Sequence, residues 1–164
     1  ILNWNMVPLT VVRDGPYGIG SLQLFIEHNP EVRYFSLKDS CAEQLKKIAC
    51  FDLGSNNADR KGVHCIQGPD GRVWGIDHGL TFNSVLKVRT VIWDFAGMSL
   101  PYDIRRDLLD FRATLDSDDD LVITLRRLLT SEEFDALVSR TDKLIQIGQF
   151  PEPGPGPNYP WPPM

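Results

Sequence analysis

Residues 56–79 constrain this chain more tightly than any other stretch. Two polar loops, Asn56-Asn57-Ala58-Asp59-Arg60-Lys61-Gly62 and Asp77-His78-Gly79, flank two short runs, Val63-His64-Cys65-Ile66 and Arg72-Val73-Trp74-Gly75-Ile76. Between the runs lies Asp70-Gly71, a turn dipeptide whose glycine accepts the positive φ that a tight hairpin demands. Short β-branched and aromatic runs joined by such a turn spell an antiparallel pair of strands. A hairpin of that length returns Asp77 beside Asp59, so any fold built around it must seat two carboxylates at the open end of a small sheet.

Around this hairpin the periodicity is helical. Ser40-Cys41-Ala42-Glu43 has the form of a capping box, and Cys41, Ala42, Leu45, Ile48 and Ala49 recur at helical spacing, which predicts an amphipathic helix over residues 40–51 leading into the first loop. Pro101 suits a first helical turn, and Ile104, Leu108, Phe111 and Leu115 mark a second helix with Arg105, Arg106 and Asp107 on its wet side. A third follows from Asp118, where Asp118-Asp119-Asp120 put negative charge at the helix's positive end and read as a solvated N-terminal turn rather than a metal cluster; Leu121, Leu125, Leu128 and Leu129 supply its buried face. Thr130-Ser131-Glu132-Glu133 is another capping box, opening a fourth helix that runs through Phe134, Leu137, Val138, Leu144 and Ile145 to Gly148. The expected class is α+β, mainly α, with residues 1–150 as one domain and residues 151–164 as a tail. Seven of those last fourteen residues are proline, which forbids helix and ladder alike and favours an extended polyproline path. That tail is either a ligand for aromatic-groove domains or is pinned across its own domain by Tyr159 and Trp161.

Composition narrows the partners. With 164 residues, 42% of them hydrophobic and 24% charged, the chain can bury one core and needs no second. No apolar run approaches the roughly 20 residues needed to cross a bilayer, and no basic start followed by an apolar stretch marks a leader, so a cytoplasmic, membrane-free protein is expected. Cys41, Cys50 and Cys65 lack metal-ligand spacing and are odd in number, which predicts buried free thiols. The net charge of −5, without a basic cluster, argues against nucleic acid and against anionic lipid head groups as partners.

Paired aspartates on adjoining loops suit phosphoryl transfer, which asks a protein for placement and charge compensation more than for covalent chemistry. Asp59-Arg60 and Asp77-His78-Gly79 resemble the catalytic and metal loops of the atypical kinases of the phosphatidylinositol 3-/4-kinase superfamily. The segments 56–62 and 74–79, together with Arg89-Thr90-Val91-Ile92-Trp93 and Pro160-Trp161-Pro162-Pro163, are similar over nearly the whole chain to actinobacterial proteins carrying that kinase-like domain. The resemblance implies the C-terminal lobe of such a fold, using ATP with Mg or Mn. In it Asp59 orients the acceptor hydroxyl, Asn57 and Arg60 support the catalytic loop, Asp77 coordinates metal, and His64 stands where the superfamily has an asparagine ligand. A nitrogen donor at that place fits manganese better than magnesium. Residues 21–27 then correspond to the last strand of the N-terminal lobe running into the hinge, with the backbone of Glu27 near the adenine. The glycine-rich lid of such a kinase is expected upstream of Ile1, and the chain alone is expected to be inactive. Residues 80–93 would face an acceptor of unknown identity, and since they carry only Lys87 and Arg89 as cations, a lipid acceptor is disfavoured.

Individual residues retain structural alternatives. Asn56 and Asn57 either end the helix or order the catalytic loop. Arg60 either steadies phosphate or pairs with Asp77. His64 ligates metal, pairs with Asp77, or is an ordinary satisfied histidine. His78 shapes the backbone, His28 lies at the surface, and Trp74 and Trp93 pack in the core. The competing reading of the whole is a pseudokinase or protein-interaction domain without catalysis, for which His64 at a metal position is the motive.

Overall fold

The computed structural model describes residues 2–164 and shows a mixed α+β chain of five helices and two small antiparallel sheets. Its scaffold is the helix α2, Ala42–Ser55. Leu45, Ile48, Ala49 and Leu53 recur on one face and are buried, together with Ile92, Phe95, Leu100, Ile104, Leu108, Leu144 and Phe150 from the rest of the chain. The helix runs four residues further than its periodicity predicts, because Asn56 closes it in the left-handed conformation at φ 59°. Its beginning also differs from expectation. Cys41, not Ser40, is the N-cap, and the Ser40 hydroxyl contacts the Leu37 carbonyl instead of the helix amides. Ser40 is occupied there by a short helix absent from the pattern reading, α1, Tyr34–Leu37.

The central hairpin forms as the turn dipeptide dictates. Strands β3, Cys65–Gln67, and β4, Val73–Gly75, pair antiparallel with Cys65 opposite Gly75 and Gln67 opposite Val73, and Gly71 takes φ 79° in the turn. His64 falls just before the strand, in a 3-10 turn over Gly62–His64.

After the hairpin come α3, Tyr102–Leu115, α4, Asp120–Leu128, and α5, Ser131–Ile147. Asp119 caps α4 by accepting the Leu121 N–H, so the acidic triplet is a helix start. Thr130 and Glu133 form the reciprocal capping box at α5, and Gly148 closes that helix at φ 65°. Leu115, Val122, Phe134 and Leu137 make a second, smaller core where α4 leans on α3 and α5.

The front of the chain departs most from expectation. The sequence predicts a single strand over residues 21–27; instead β1, Thr10–Gly15, and β2, Gly18–Gln23, form a complete hairpin, Leu24 N–H donates to the Leu9 carbonyl, and residues 25–27 run on outside the ladder. The period-two signal in β1 is weak because neither face of this hairpin is buried. The extended stretch after β2 packs on the central hairpin, where Ile26 closes over Gly68.

Candidate functional site

The first loop is organised by a buried ion pair. Arg60 and Asp52 are both wholly buried, and the guanidinium clasps the carboxylate through Nε, at 3.0 and 3.1 Å to its two oxygens, and through one terminal nitrogen at 2.9 Å. The second terminal nitrogen donates to the carbonyls of Ile76, at 2.7 Å, and His64, at 3.4 Å. A last donor meets Nδ1 of His78 at 3.0 Å. Burial opposes the charge on Arg60, but the adjacent Asp52 outweighs burial and holds its pKa above the ordinary value. A buried cation of this kind is tolerable only when every donor is matched, and here all five find acceptors. Arg60 therefore neither steadies phosphate nor pairs with Asp77. Having no exposed surface, it is a positioning residue.

Asp52 is the residue that sequence reading missed. Its signal was present, since it continues the Leu45, Ile48 spacing on the apolar face of α2, where a charge needs a partner. Besides Arg60 it accepts from Asn57 Nδ2 at 2.9 Å and from the Thr90 hydroxyl at 3.4 Å.

Asn57 holds the loop from both ends. While its amide nitrogen reaches Asp52, its Oδ1 accepts the Asp59 N–H at 3.0 Å and its carbonyl accepts the Arg89 N–H at 2.9 Å. Asn56 does likewise for the following segment: Nδ2 donates to the carbonyls of Asn83 and Val85, and Oδ1 accepts the Lys87 N–H. The two readings of the asparagines thus hold together, Asn56 ending α2 and both ordering loops. Residues 88–91 are zipped beside the first loop by Arg60 N–H to the Arg89 carbonyl and Val91 N–H to the Arg60 carbonyl.

The second loop starts from β4. Asp77 sits at φ 54°, in the left-handed region that aspartate enters only at some cost, and its side chain is 61% exposed. His78 beside it is fixed on three sides. Nδ1 faces Arg60, so Nε2 carries the proton and donates to the Gly75 carbonyl at 3.0 Å, while the ring packs edge-on against Phe51. Burial first and Arg60 second push its pKa below the usual value, which suits a neutral ring. His78 is the backbone-shaping residue that its place predicts.

His64 Nε2 lies 3.4 Å from Asp77 Oδ2. Attraction to Asp77 would raise the His64 pKa, but burial is the larger effect and lowers it. Asp59 is about a quarter exposed, and its carboxylate meets Lys61 Nζ at 3.1 Å. Glu27 is exposed on the stretch after β2. No group of three His, Cys, Asp or Glu side chains with metal-holding geometry occurs among the described residues. His64 and Asp77 thus meet as a pair, too few donors for a closed protein cage around a metal ion.

All three cysteines are free and buried, and burial pushes the thiols of Cys50 and Cys65 up to about 12, far from a reactive thiolate. Trp93 packs at the margin of the main core and donates to the Asn158 carbonyl, whereas Trp74 lies under the Arg72 guanidinium. No helix among the described residues is long and apolar enough to cross a membrane.

No family model matches this sequence. It is 32% identical to Protein Rv2133c of Mycobacterium tuberculosis (strain ATCC 25618 / H37Rv) over 196 aligned positions, which take in 98% of this chain and 70% of that protein. With such identity across most of both proteins, this chain belongs to the family of Protein Rv2133c.

Proposed function

We propose that the chain is the helical lobe of a kinase-like phosphotransferase that works with ATP and a divalent ion, Mg or Mn, on an acceptor other than lipid. The observation that carries this reading is the span of Arg60. One buried guanidinium follows Asp59 in the chain and also grips the Ile76 carbonyl and the His78 ring, the residues on either side of Asp77. Two loops, each bearing an aspartate, are thereby tied to one buried cation, the kind of preorganisation that phosphoryl transfer asks of a protein. Asp59 would orient the acceptor hydroxyl and receive its proton. Asp77 and His64 would hold the ion, which when bound offsets charge on the phosphate oxygens. The β1–β2 hairpin supports the same reading. A two-stranded sheet with Val12, Ile19 and Leu22 exposed is marginal by itself and has free edges, as expected if further strands of a nucleotide-covering lobe pair with it.

The test is phosphate transfer from ATP in the complete natural protein. Asp59→Ala should abolish turnover with circular dichroism unchanged, and undiminished turnover would sink the proposal. A second reading is favoured by one contact. His64 already engages Asp77, so the pair can be satisfied without an ion, as in a pseudokinase or interaction domain. Titration calorimetry separates the two. Micromolar Mn-ATP or Mg-ATP binding that disappears in Asp77→Asn refutes the pseudokinase, and absence of binding to the complete protein supports it.

A further inference from the structure

Behind α2 lies a partly open cavity of about 430 Å³, walled by α2, α3, α4, α5, Phe82 and the N-terminal strap of residues 2–7. Trp4, Met6, Phe51, Phe111 and Leu137 dominate its lining, and no charged side chain is part of it among the described residues. Protein interiors are packed so closely that voids larger than a water molecule are few. An apolar void of about 150 Å³ is already enough to take up benzene, and small-molecule sites span roughly 300–1,000 Å³. The strap across this cavity is tied at both ends. Trp4 Nε1 donates to Asp107 at 2.8 Å, and the Met6 carbonyl accepts the Gly75 N–H at 2.7 Å. Between these ties Asn5 holds a positive φ of 48°.

One group in the lining is unmatched. Ser55 is 3% exposed, and its hydroxyl has no hydrogen-bond partner among the described residues. Thr141, also in the lining, donates to the Leu137 carbonyl and is satisfied. A buried hydroxyl without a partner is costly and asks for an explanation. We propose that this cavity binds a neutral, mainly apolar molecule bearing a single hydrogen-bonding group, of about the bulk of a bicyclic aromatic alcohol, with that group meeting the Ser55 hydroxyl. The described lining offers no charge to pair with the head of a nucleotide, a phosphorylated compound or an ionised fatty acid, which favours a neutral occupant. The assignment does not depend on phosphotransfer.

Isothermal titration of the chain with 1-naphthol tests it. Saturable one-to-one binding is expected. Gly54 lines the cavity, and a Cβ added there meets nothing within 4 Å, so Gly54→Leu should fill the space, weaken binding about tenfold or more, and leave the thermal midpoint unchanged or higher. Ser55→Ala removes only an unpartnered group and should fold normally while weakening 1-naphthol about fivefold. No saturable heat with the wild-type chain overturns the proposal. So does wild-type affinity in folded Gly54→Leu, because the molecule would then bind elsewhere, and so does undiminished affinity in Ser55→Ala, because the hydroxyl would then have no part in recognition.

Discussion

At the scale of single residues, the site is governed by a charge that never touches solvent. Asp52 neutralises Arg60, and Arg60 in turn positions both candidate loops, so the pair ought to be more sensitive than either exposed aspartate. Asp52→Ala leaves a buried guanidinium uncompensated, which costs about 3–5 kcal/mol. Urea denaturation should report a loss of that size for Asp52→Ala and little change for Asp77→Ala, whose carboxylate is largely exposed; comparable losses would mean that the loops are not built on the pair. The histidines offer a second check. Burial holds His64 and His78 below the usual 6.5, so in the unfolded chain they gain protons at a higher pH than in the native state. Their neutral rings contribute stability in full above pH 6.5, and that contribution is lost as pH falls through 6.5 toward the lowered native values. Ring-proton NMR titration of the folded chain should place both midpoints under 6.5, and a midpoint at or above it would contradict the buried neutral rings. The meeting of His64 with Asp77 was legible in the strand–turn–strand spacing. The role of Arg60 was not, because an arginine in a polar loop looks solvated until the helix that buries it is in place.

At the scale of elements, what could be read depended on whether the signal was local. The capping box at Thr130 and the terminal Gly148 are local, and both ends of α5 fall where they predict. Thr130→Ala should therefore cost about 1 kcal/mol in thermal or urea unfolding. Ser131→Ala, one residue inside the helix, serves as its control and should cost less; equal losses would show that the cap is not what holds this end. Ser40 had the same local pattern, yet α1 intervened and took its hydroxyl, a tertiary choice that no window of a few residues contains. The β1–β2 hairpin was illegible for a different reason. Alternation is written by burial of one face, and a hairpin exposed on both has nothing to alternate against. Its first strand, Thr10–Gly15, carries Val11 and Val12 side by side, one on each face.

At the scale of the whole molecule, the proline-rich tail is part of the site's scaffold. Tyr159 and Trp161, the expected anchors, are 57% and 89% exposed. The tail is held instead by its backbone, because a proline-rich strand has few N–H groups but a full set of carbonyls. The Asn158 carbonyl takes the Thr90 N–H and the Trp93 indole, and the Pro163 carbonyl takes the Gly62 N–H at 2.8 Å. Gly62 is hemmed in by the same arrangement, since a Cβ there would come within 3.0 Å of Phe35 in α1 and 3.5 Å of the Pro163 carbonyl. The last residues of the chain thus satisfy amides on both sides of Arg60, one in the first loop and one in the segment zipped beside it. Removing residues 158–164 should leave α5 protected, as its own caps and core contacts are untouched, but should expose the amides of Gly62 and Thr90 to solvent. Amide hydrogen exchange followed by mass spectrometry would then show faster labelling confined to residues 57–64 and 88–93. Unchanged protection there would mean that the loop is rigid without the tail, and that Arg60 and Asp52 alone suffice to hold Asp59 in place.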